Sequence, residues 1–253
     1  MLSMFAFCKK VRQFQLSNFD TSKVIDMAYM FQECQSAVIM NLINFNMSNV
    51  EDMYYMFGGS RSLTSLDIRH FDTKKVTDMC HLFHSLEQLT SLDLSNFVTN
   101  KVNDMANMFS QCYKIHITGI NQFDTSQVTD MSNMFYYIQN MGNFDLSHFN
   151  TANVNKMSYM LSRCNNLESI DLSTFDTGNV EDMNGMFQNC NKLKTIIFKT
   201  FDTKYVLDMT EMFSGCTSLT SLDLSSFNTE YVESMSKIFY ACSKLSFLDV
   251  SSF

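Results

Sequence analysis

The feature that most constrains the fold of this chain is an unbroken internal period of 26 residues. A phenylalanine returns at every step inside a nearly copied phrase, as in FDTKKVTDMCHLF (71–83) and FDTSQVTDMSNMF (123–135). The series is Phe19, Phe45, Phe71, Phe97, Phe123, Phe149, Phe175, Phe201, Phe227 and Phe253. Such a period indicates a repeat architecture in which each copy packs only against its neighbours. We predict a single repeat domain over 1–253, with a partial copy at 1–18, nine full copies at 19–252 and a further copy beginning at 253.

The first half of each copy predicts a short helix. With the repeating phenylalanine as position 1, all nine full copies have valine at position 6 and methionine at position 9, and most have methionine at position 12. Position 13 is phenylalanine except at Leu161. Apolar residues spaced by three, three and one share a face of a helix. The Asp, Asn, Thr and Ser side chains at positions 2 to 4 would cap this helix, and the acid at position 8 would suit its first turn.

The second half of each copy predicts a short strand. In LTSLDLSNF (89–97), Leu92 and Leu94 flank Asp93, which is the alternation of a half-buried strand. The pattern Leu-x-x-Leu-x-Leu-x-x-Phe follows the leucine-rich repeat theme of one strand per coil. The predicted fold class is therefore an α/β repeat solenoid, whose coils each contribute one short parallel strand and one short helix.

The phrase FDTxxVxDMxxMFxxCxxLxSLDLSxF resembles the BspA-like leucine-rich repeat surface proteins of bacteria, mycoplasmas and some protists. The Met- and Phe-rich type with the signature VTDMSNMF is the most similar. The resemblance covers essentially all 253 residues, because residues 1 to 18 fit as the tail of a preceding copy. It implies a cell-surface or secreted protein with an adhesive or interaction role, and hence a protein partner such as a host or matrix protein.

Charge and motifs exclude several other classes. The net charge of -8, with both signs scattered, disfavours nucleic acid and anionic membranes as partners. No stretch approaches the roughly 18 apolar residues of a membrane span, so direct membrane insertion is not expected. No Ser-His-Asp grouping or H-E-x-x-H motif can be read, and we predict neither an enzyme nor a cofactor.

Seven of the eight cysteines share position 16 of the repeat. They are Cys8, Cys34, Cys112, Cys164, Cys190, Cys216 and Cys242. The absence of a Cys-x-x-Cys spacing and of an accompanying histidine argues against a metal site. We predict buried free thiols, with disulfides between successive coils as the alternative.

The first candidate binding face is the outer side of the sheet. Position 23 lies between two inward strand residues and is aspartate in six copies, so its side chain should point outward. The candidate residues on this face are Asp67, Arg69, Asp93, Asp145, Asp171 and Asp223. They suit a basic or polar protein partner, with loosely held calcium as a lesser alternative. The other interpretation is an acidic row that only keeps the sheet soluble.

A second candidate lies where two copies depart most from the repeat. The segment IHITGINQ (115–122) replaces the usual strand phrase, and YYIQNMGNF (136–144) places Tyr136 and Tyr137 where turn residues are expected. Exposed tyrosines are favoured in recognition, although drift in a tolerant loop would give the same pattern.

Two functions follow from these patterns. One is a protein-interaction solenoid of a cell-surface adhesin, and the other is a passive structural spacer or stalk within a larger surface protein. Because the sequence opens and stops inside the repeat, we also expect a longer array or end-to-end self-association.

Overall fold

The computed structural model describes residues 1–140, 145–199 and 201–253. The chain divides into two compact units, Met1–Gln127 and Val128–Phe253. Each unit is a β-solenoid whose coils follow the 26-residue period. The described residues form no α-helix, and so no helix among them could cross a membrane. The prediction of one continuous domain over 1–253 stays a prediction.

The strands lie where the sequence predicts them. Among the described residues they are β1 Gln13–Gln15, β2 Ile39–Asn41, β3 Ser91–Asp93, β4 His116–Thr118, β5 Ser169–Asp171, β6 Thr195–Ile197, β7 Ser221–Asp223 and β8 Phe247–Asp249. They pair in parallel, as β1–β2 and β3–β4 in the first unit and as β5–β6 and β7–β8 in the second. In β3 the central Leu92 is buried while Ser91 is exposed, which confirms the predicted alternation.

One strand pair departs from the 26-residue register. Leu92 of β3 lies opposite Ile117 of β4, which is 25 residues further along the chain. The coil regains this residue directly after β4, where Gly119 adopts φ 86° and leads into a 3₁₀ helix at Ile120–Gln122. The 26-residue period then resumes at Phe123. A Cβ on Gly119 would lie 2.4 Å from the backbone N of Ser95, so the close approach requires glycine. The uninterrupted period therefore hides a local deletion and a local insertion that cancel.

The predicted helix in the first half of each copy is wrong. That segment is a chain of overlapping turns in which positions 11 and 15 have left-handed backbone conformations in every full copy. In the coil 19–44, for example, Tyr29 has φ 57° and Glu33 has φ 53°. Two left-handed residues four apart cannot belong to a right-handed α-helix.

Hydrogen bonding between coils explains why the turns replace the helix. In the coil 19–44, the N–H groups of positions 9, 11, 13 and 15 donate to carbonyls of the next coil at positions 8, 10, 12 and 14. The N–H groups of positions 12, 14 and 16 turn back to carbonyls three residues earlier in their own coil. The N–H of position 10 donates to the position-8 carboxylate. Every donor from position 9 to position 16 is therefore satisfied, and half of them link neighbouring coils.

The acids predicted as helix caps have a different local role. Asp20 at position 2 and Asp26 at position 8 each accept the N–H of the residue two places later, at 2.9 and 2.8 Å. Such Asx turns bend the chain without a helix. The buried threonine at position 3 joins coils, since Thr73 Oγ1 donates to the Val98 carbonyl at 3.0 Å and accepts the Val98 N–H at 2.8 Å.

The core is built of ladders of identical side chains. At position 13, Phe31, Phe57 and Phe83 stack with centroid spacings of 5.8 and 6.1 Å and nearly parallel rings. Phe187 and Phe213 stack at 5.7 Å in the second unit. All five rings are fully buried, and burying each one contributes roughly 2 to 3 kcal/mol.

The cysteines of position 16 form a hydrogen-bonded ladder. The thiol of Cys112 donates to the Phe83 carbonyl at 3.0 Å, and the thiol of Cys190 donates to the Leu161 carbonyl at 3.0 Å. Ser60 occupies position 16 in another coil and makes the equivalent bond, also at 3.0 Å. The predicted burial is confirmed for Cys34, Cys112, Cys164, Cys190 and Cys216, whereas Cys8 and Cys242 are half-buried. Burial raises the pKa of Cys112 to about 12, which keeps this thiol protonated as a donor.

Candidate functional site

The sheet face of the first unit brings three of the predicted residues into one groove. Asp67, Arg69 and Asp93 line a shallow depression of about 320 Å³ together with Ser65 and Ser91. Asp67 and Arg69 are exposed, and Asp93 is half-buried. They meet because position 23 of one coil lies beside position 23 of the next in a parallel stack, while position 25 points out on the same side.

Asp67 and Arg69 form a bidentate ion pair. The guanidinium donates from Nε to Oδ1 at 2.9 Å and from Nη2 to Oδ2 at 2.8 Å. The hydrogen bond from Arg69 lowers the pKa of Asp67 to about 2. Because both side chains are more than half exposed, the pair adds little to folding stability. Its effect is to hold a charged fork in a fixed orientation on the surface.

The other predicted acids are held by the serine two residues later. Asp93, Asp145, Asp171 and Asp223 accept the N–H of that serine at 2.8 to 3.0 Å. In each case the hydrogen bond from this serine is the main cause that lowers the pKa of the carboxyl. The neighbouring acid raises the pKa of Asp171 more weakly. The row is therefore ionised at neutral pH, and each carboxylate has a structural use apart from any partner.

Apolar side chains adjoin the charged groove in the first unit. Ile39 and Ile43 lie at positions 21 and 25 of the coil 19–44, and they are 49% and 61% exposed. Ile43, Met40 and Asp67 line a second depression of about 360 Å³. Asp67 thus borders both depressions, so an apolar surface and an ion pair meet at one place.

In the second unit, the acids of the sheet face do not form an unbroken row. Asp145 and Asp171 lie in successive coils, and Asp171 and Asp223 are separated by the coil that presents Ile197 at position 23. Ile197 is 49% exposed. The predicted acids therefore all lie at position 23 on the sheet face of their coils, but they do not all belong to one site.

The two candidate tyrosines are less exposed than predicted. Tyr136 and Tyr137 are half-buried, their ring centroids are 6.1 Å apart, and Tyr137 occupies a left-handed position. The guanidinium of Arg163 lies over the Tyr137 ring, 5.8 Å from its centroid. This ring is therefore already engaged within its own unit. Residues 141–144 of the predicted variable segment lie outside the described residues.

A group of aromatic side chains that the sequence interpretation missed lies on the turn face of the first unit. We call Tyr29, Tyr54, Tyr55, His81 and His84 the aromatic strip. Neighbouring ring centroids are 4.9 Å apart for Tyr29–Tyr54, 5.0 Å for Tyr55–His81 and 5.1 Å for His81–His84. All five side chains are half-buried, so the strip forms a continuous surface across three coils.

Repeat position explains the strip. Its members occupy positions 10, 11 and 14 of the turn segment, where the five rings are half-buried. In the second unit these positions are mostly small or polar, with Tyr136, Tyr159 and Tyr240 as the aromatic exceptions. The small or polar residues are Ser132, Asn133, Ser158, Ser162, Asn184, Gly185, Gln188, Thr210, Glu211 and Ser214. A comparison of the copies at these three positions would have revealed the strip from the sequence.

Burial changes the acid–base behaviour of the strip. It raises the pKa of Tyr54 to about 12, with a smaller contribution from Tyr29, and it lowers the pKa of His84 to about 4. Burial also lowers the pKa of His81. The Nδ1 atoms of both histidines are buried without a hydrogen-bond partner. An unpartnered buried polar atom costs about 1 to 3 kcal/mol, which offsets part of the stabilisation from packing these rings.

Carboxylates border the strip. The Asp52 carboxylate accepts the Tyr54 N–H at 2.8 Å, and Asp78 in the next coil is bridged to Asp52 through the backbone. Burial, with repulsion from Asp104 and Asp52, raises the pKa of Asp78 to about 6. On the other side of the strip, Glu33 lies against Gly59, where a Cβ would be 2.4 Å from Oε1. No cluster of three or more potential metal ligands occurs in the described ranges.

The fold and its ladders define a class, namely a repeat protein built of parallel solenoid coils with leucine-rich-repeat-like strands. The family model "Mycoplasma protein of unknown function, DUF285" matches residues 1–118, 103–199 and 166–253. The chain belongs to this family. A search of the curated proteins found no match.

Three solved structures of leucine-rich repeat proteins show some similarity to this chain. A leucine-rich repeat protein from Bacteroides ovatus is 15% identical with a TM-score of 0.42, over 98% of this chain and 75% of that one. A leucine-rich cell surface protein from Faecalibacterium prausnitzii is 16% identical with a TM-score of 0.43, over 97% and 74%. A leucine-rich repeat protein from Eubacterium ventriosum is 16% identical with a TM-score of 0.37, over 84% and 70%.

Proposed function

We propose that the chain is a non-enzymatic protein-interaction solenoid and that it forms part of a cell-surface adhesin for host or matrix proteins. The observation that carries the proposal is the sheet face of the first unit, where Ile39 and Ile43 adjoin the Asp67–Arg69 ion pair. Apolar anchors beside an oriented arginine and carboxylate are the usual make-up of a protein-binding surface.

The backbone lattice supports this role. Within each unit, hydrogen bonds link neighbouring coils along the turn face, and parallel strand pairs link some of them, so the exposed side chains lie on a regular support. A partner then pays little entropy for ordering the surface, which favours recognition. A surface or secreted location agrees with the resemblance to BspA-like proteins and belongs to the same proposal.

A passive spacer is the second candidate, and one observation favours it. Each aspartate at position 23 accepts a hydrogen bond from its own chain, so the acidic row has a local use without any partner. The two functions differ in what the negative charge does, which makes charge removal the informative change.

The test is to change Asp67, Asp93, Asp145, Asp171 and Asp223 together to asparagine. Asn41 makes the same turn in this protein, accepting the Ile43 N–H at 3.3 Å, so the substitution removes charge and keeps the turns. We expect the free energy of unfolding to be preserved or raised, because asparagine still accepts the turn hydrogen bonds and the weaker repulsion between neighbouring acids is removed. Binding to a panel of immobilised matrix proteins should weaken at least tenfold by surface plasmon resonance.

The control for this experiment is Tyr136→Ser with Tyr137→Ser, which should leave binding unchanged. Full binding by the five-site variant and its loss in the tyrosine variant would move the surface to the loop edge. Wild-type protein that binds no member of the panel would favour the spacer.

A further inference from the structure

The aromatic strip is the strongest departure from the repeat that the sheet-face proposal does not use. Five rings adjoin one another at turn positions where the second unit carries mainly small or polar residues and only the tyrosines Tyr136, Tyr159 and Tyr240. The fold does not need the rings, because the same backbone forms in both units with the small residues. Gly58 even makes room for one of them, since a Cβ there would lie 2.4 Å from Cδ1 of Tyr55.

The surroundings of the strip are acidic. Asp52 and Asp78 follow one edge, and Glu33 lies at the other beside Gly59. The basic side chain of Arg61 is paired with Glu87 at 3.3 Å. Ring faces carry negative potential, so rings bordered by carboxylates attract cations.

The molecule shows elsewhere how its tyrosines bind cations. Arg163 lies over Tyr137 at 5.8 Å, and Lys204 lies over Tyr205 at 5.1 Å. Arg163 is at position 15, where the coils beside the strip have Glu33, Gly59 and Ser85. Among the described residues, the cation–π contacts involve Phe7, Tyr137 and Tyr205 and no ring of the strip.

We propose that the aromatic strip is a second binding site, which takes arginine side chains from a basic peptide segment of a partner protein. The planar guanidinium lies over the ring of Tyr54, which meets Tyr29 and His81 at steep angles, as Arg163 lies over Tyr137. Tyr55 stacks between Tyr29 and His81 and holds this surface in place. The carboxylates of Asp78 and Glu33 lie close enough to act on Tyr54 and Tyr55 and face the bound charge. Arginine suits the site better than lysine because its ion is planar and more weakly hydrated.

The test measures binding of a nine-residue arginine peptide to the full chain by calorimetry. The variant is Tyr54→Ser with Tyr55→Asn, which installs the residues that Ser132 and Asn133 provide at the same positions. Asparagine tolerates the left-handed backbone of Tyr55, whose φ is 53°. The net charge is unchanged, so long-range attraction stays constant while the ring faces are lost.

We expect the variant to bind the arginine peptide at least about tenfold more weakly than the wild type. The matched control is Tyr159→Asn, which removes a position-11 ring from the second unit and should change affinity less than about twofold. A lysine peptide of equal charge should bind the wild type more weakly, with a smaller loss in the variant.

Equal affinity of the wild type and the strip variant would overturn the proposal, and so would a loss only in the sheet-face Asp→Asn variant. If the double variant does not fold, ring-proton shifts of tyrosine during titration of the wild type decide the matter. Shifts at Tyr29, Tyr54 and Tyr55 support the proposal, and shifts confined to other tyrosines contradict it. This site is independent of the sheet face, so its failure leaves the proposed function standing.

Discussion

The turn faces of the two units have the same backbone and different surfaces. At position 11 the first unit has Tyr29, Tyr55 and His81 in successive coils, whereas the second has a single ring, Tyr159, among residues such as Asn133, Gly185 and Glu211. All of these residues are left-handed. The inward ladders and the hydrogen bonds between coils are the same in both. The comparison shows that the buried residues and the hydrogen bonds between coils determine the backbone of the coil. The exposed and half-buried residues of the turn face can therefore vary and form different surfaces.

The largest expected effect tests whether the two cores are equivalent. Phe57→Ala in the first unit and Phe187→Ala in the second each remove a fully buried ring from a stack. We expect each change to lower the free energy of unfolding by about 3 to 5 kcal/mol, measured by urea denaturation. A loss below about 1 kcal/mol in either variant would show that the ladders do not carry the two units alike.

A smaller effect concerns the pH dependence of stability, which the histidines of the first unit's turn face should alter. Burial lowers the pKa of His84 from 6.5 to about 4 and also lowers that of His81. Below pH 6.5 the unfolded chain therefore binds protons that the folded unit does not, and stability falls as the pH drops toward 4. From pH 7 to pH 5 the loss through His84 should be roughly 2 kcal/mol.

The control for this pH effect is His81→Asn with His84→Ser, which installs the residues that Asn107 and Ser110 provide at the same positions of the next coil. Asp78 has the opposite influence, because its folded pKa of about 6 lies above 3.8 and stability through it rises as the pH falls through 6. Asp78 and Arg61 are present in both proteins, so the difference between them isolates the histidines. An equal loss in wild type and variant between pH 7 and pH 5 would contradict the assignment.

The smallest effect tests the left-handed positions. Ala241 lies at position 15 with φ 60° and is exposed, so Ala241→Gly relieves backbone strain without removing contacts. We expect a gain of about 1 kcal/mol in the free energy of unfolding. The matched control Ser214→Gly, at position 14, should be destabilising because its backbone is not left-handed. A loss in Ala241→Gly would contradict the turn geometry.

The sequence predicts the period, the strands and the inward residues. The period follows from comparing copies, and the strands and inward residues follow from the spacing of apolar residues within one copy. Leu92 shows its buried alternation, and positions 9, 12 and 13 show their apolar character. The helix was predicted wrongly because the deciding hydrogen bonds run between copies, as from Tyr29 N–H to the Tyr54 carbonyl at 2.8 Å. Spacings of three and one suit both a helical stripe and a chain of turns.

The residue types at positions 11 and 15 could have indicated turns in place of the helix. Gly59, Asn107, Asn133, Gly185, Asn189 and Gly215 lie there, and glycine and asparagine are the residues that best accept a left-handed backbone. The offset at β4 could likewise be suspected from Gly119. Of the candidate sites, the outward direction of Asp67 and Arg69 could be predicted, but their bidentate pairing and its meeting with Ile43 depend on side-chain geometry.

Hydrogen exchange of individual amides tests the central claim most directly, since that claim is that one lattice of turns between coils supports both surfaces. In each unit the amides of positions 9, 11 and 13 should be protected to a similar degree, because they donate to the next coil. The strip variant Tyr54→Ser with Tyr55→Asn should keep this pattern. Free exchange at positions 9 and 11, with protection beginning only at position 13, would indicate a helix within each coil and contradict the account.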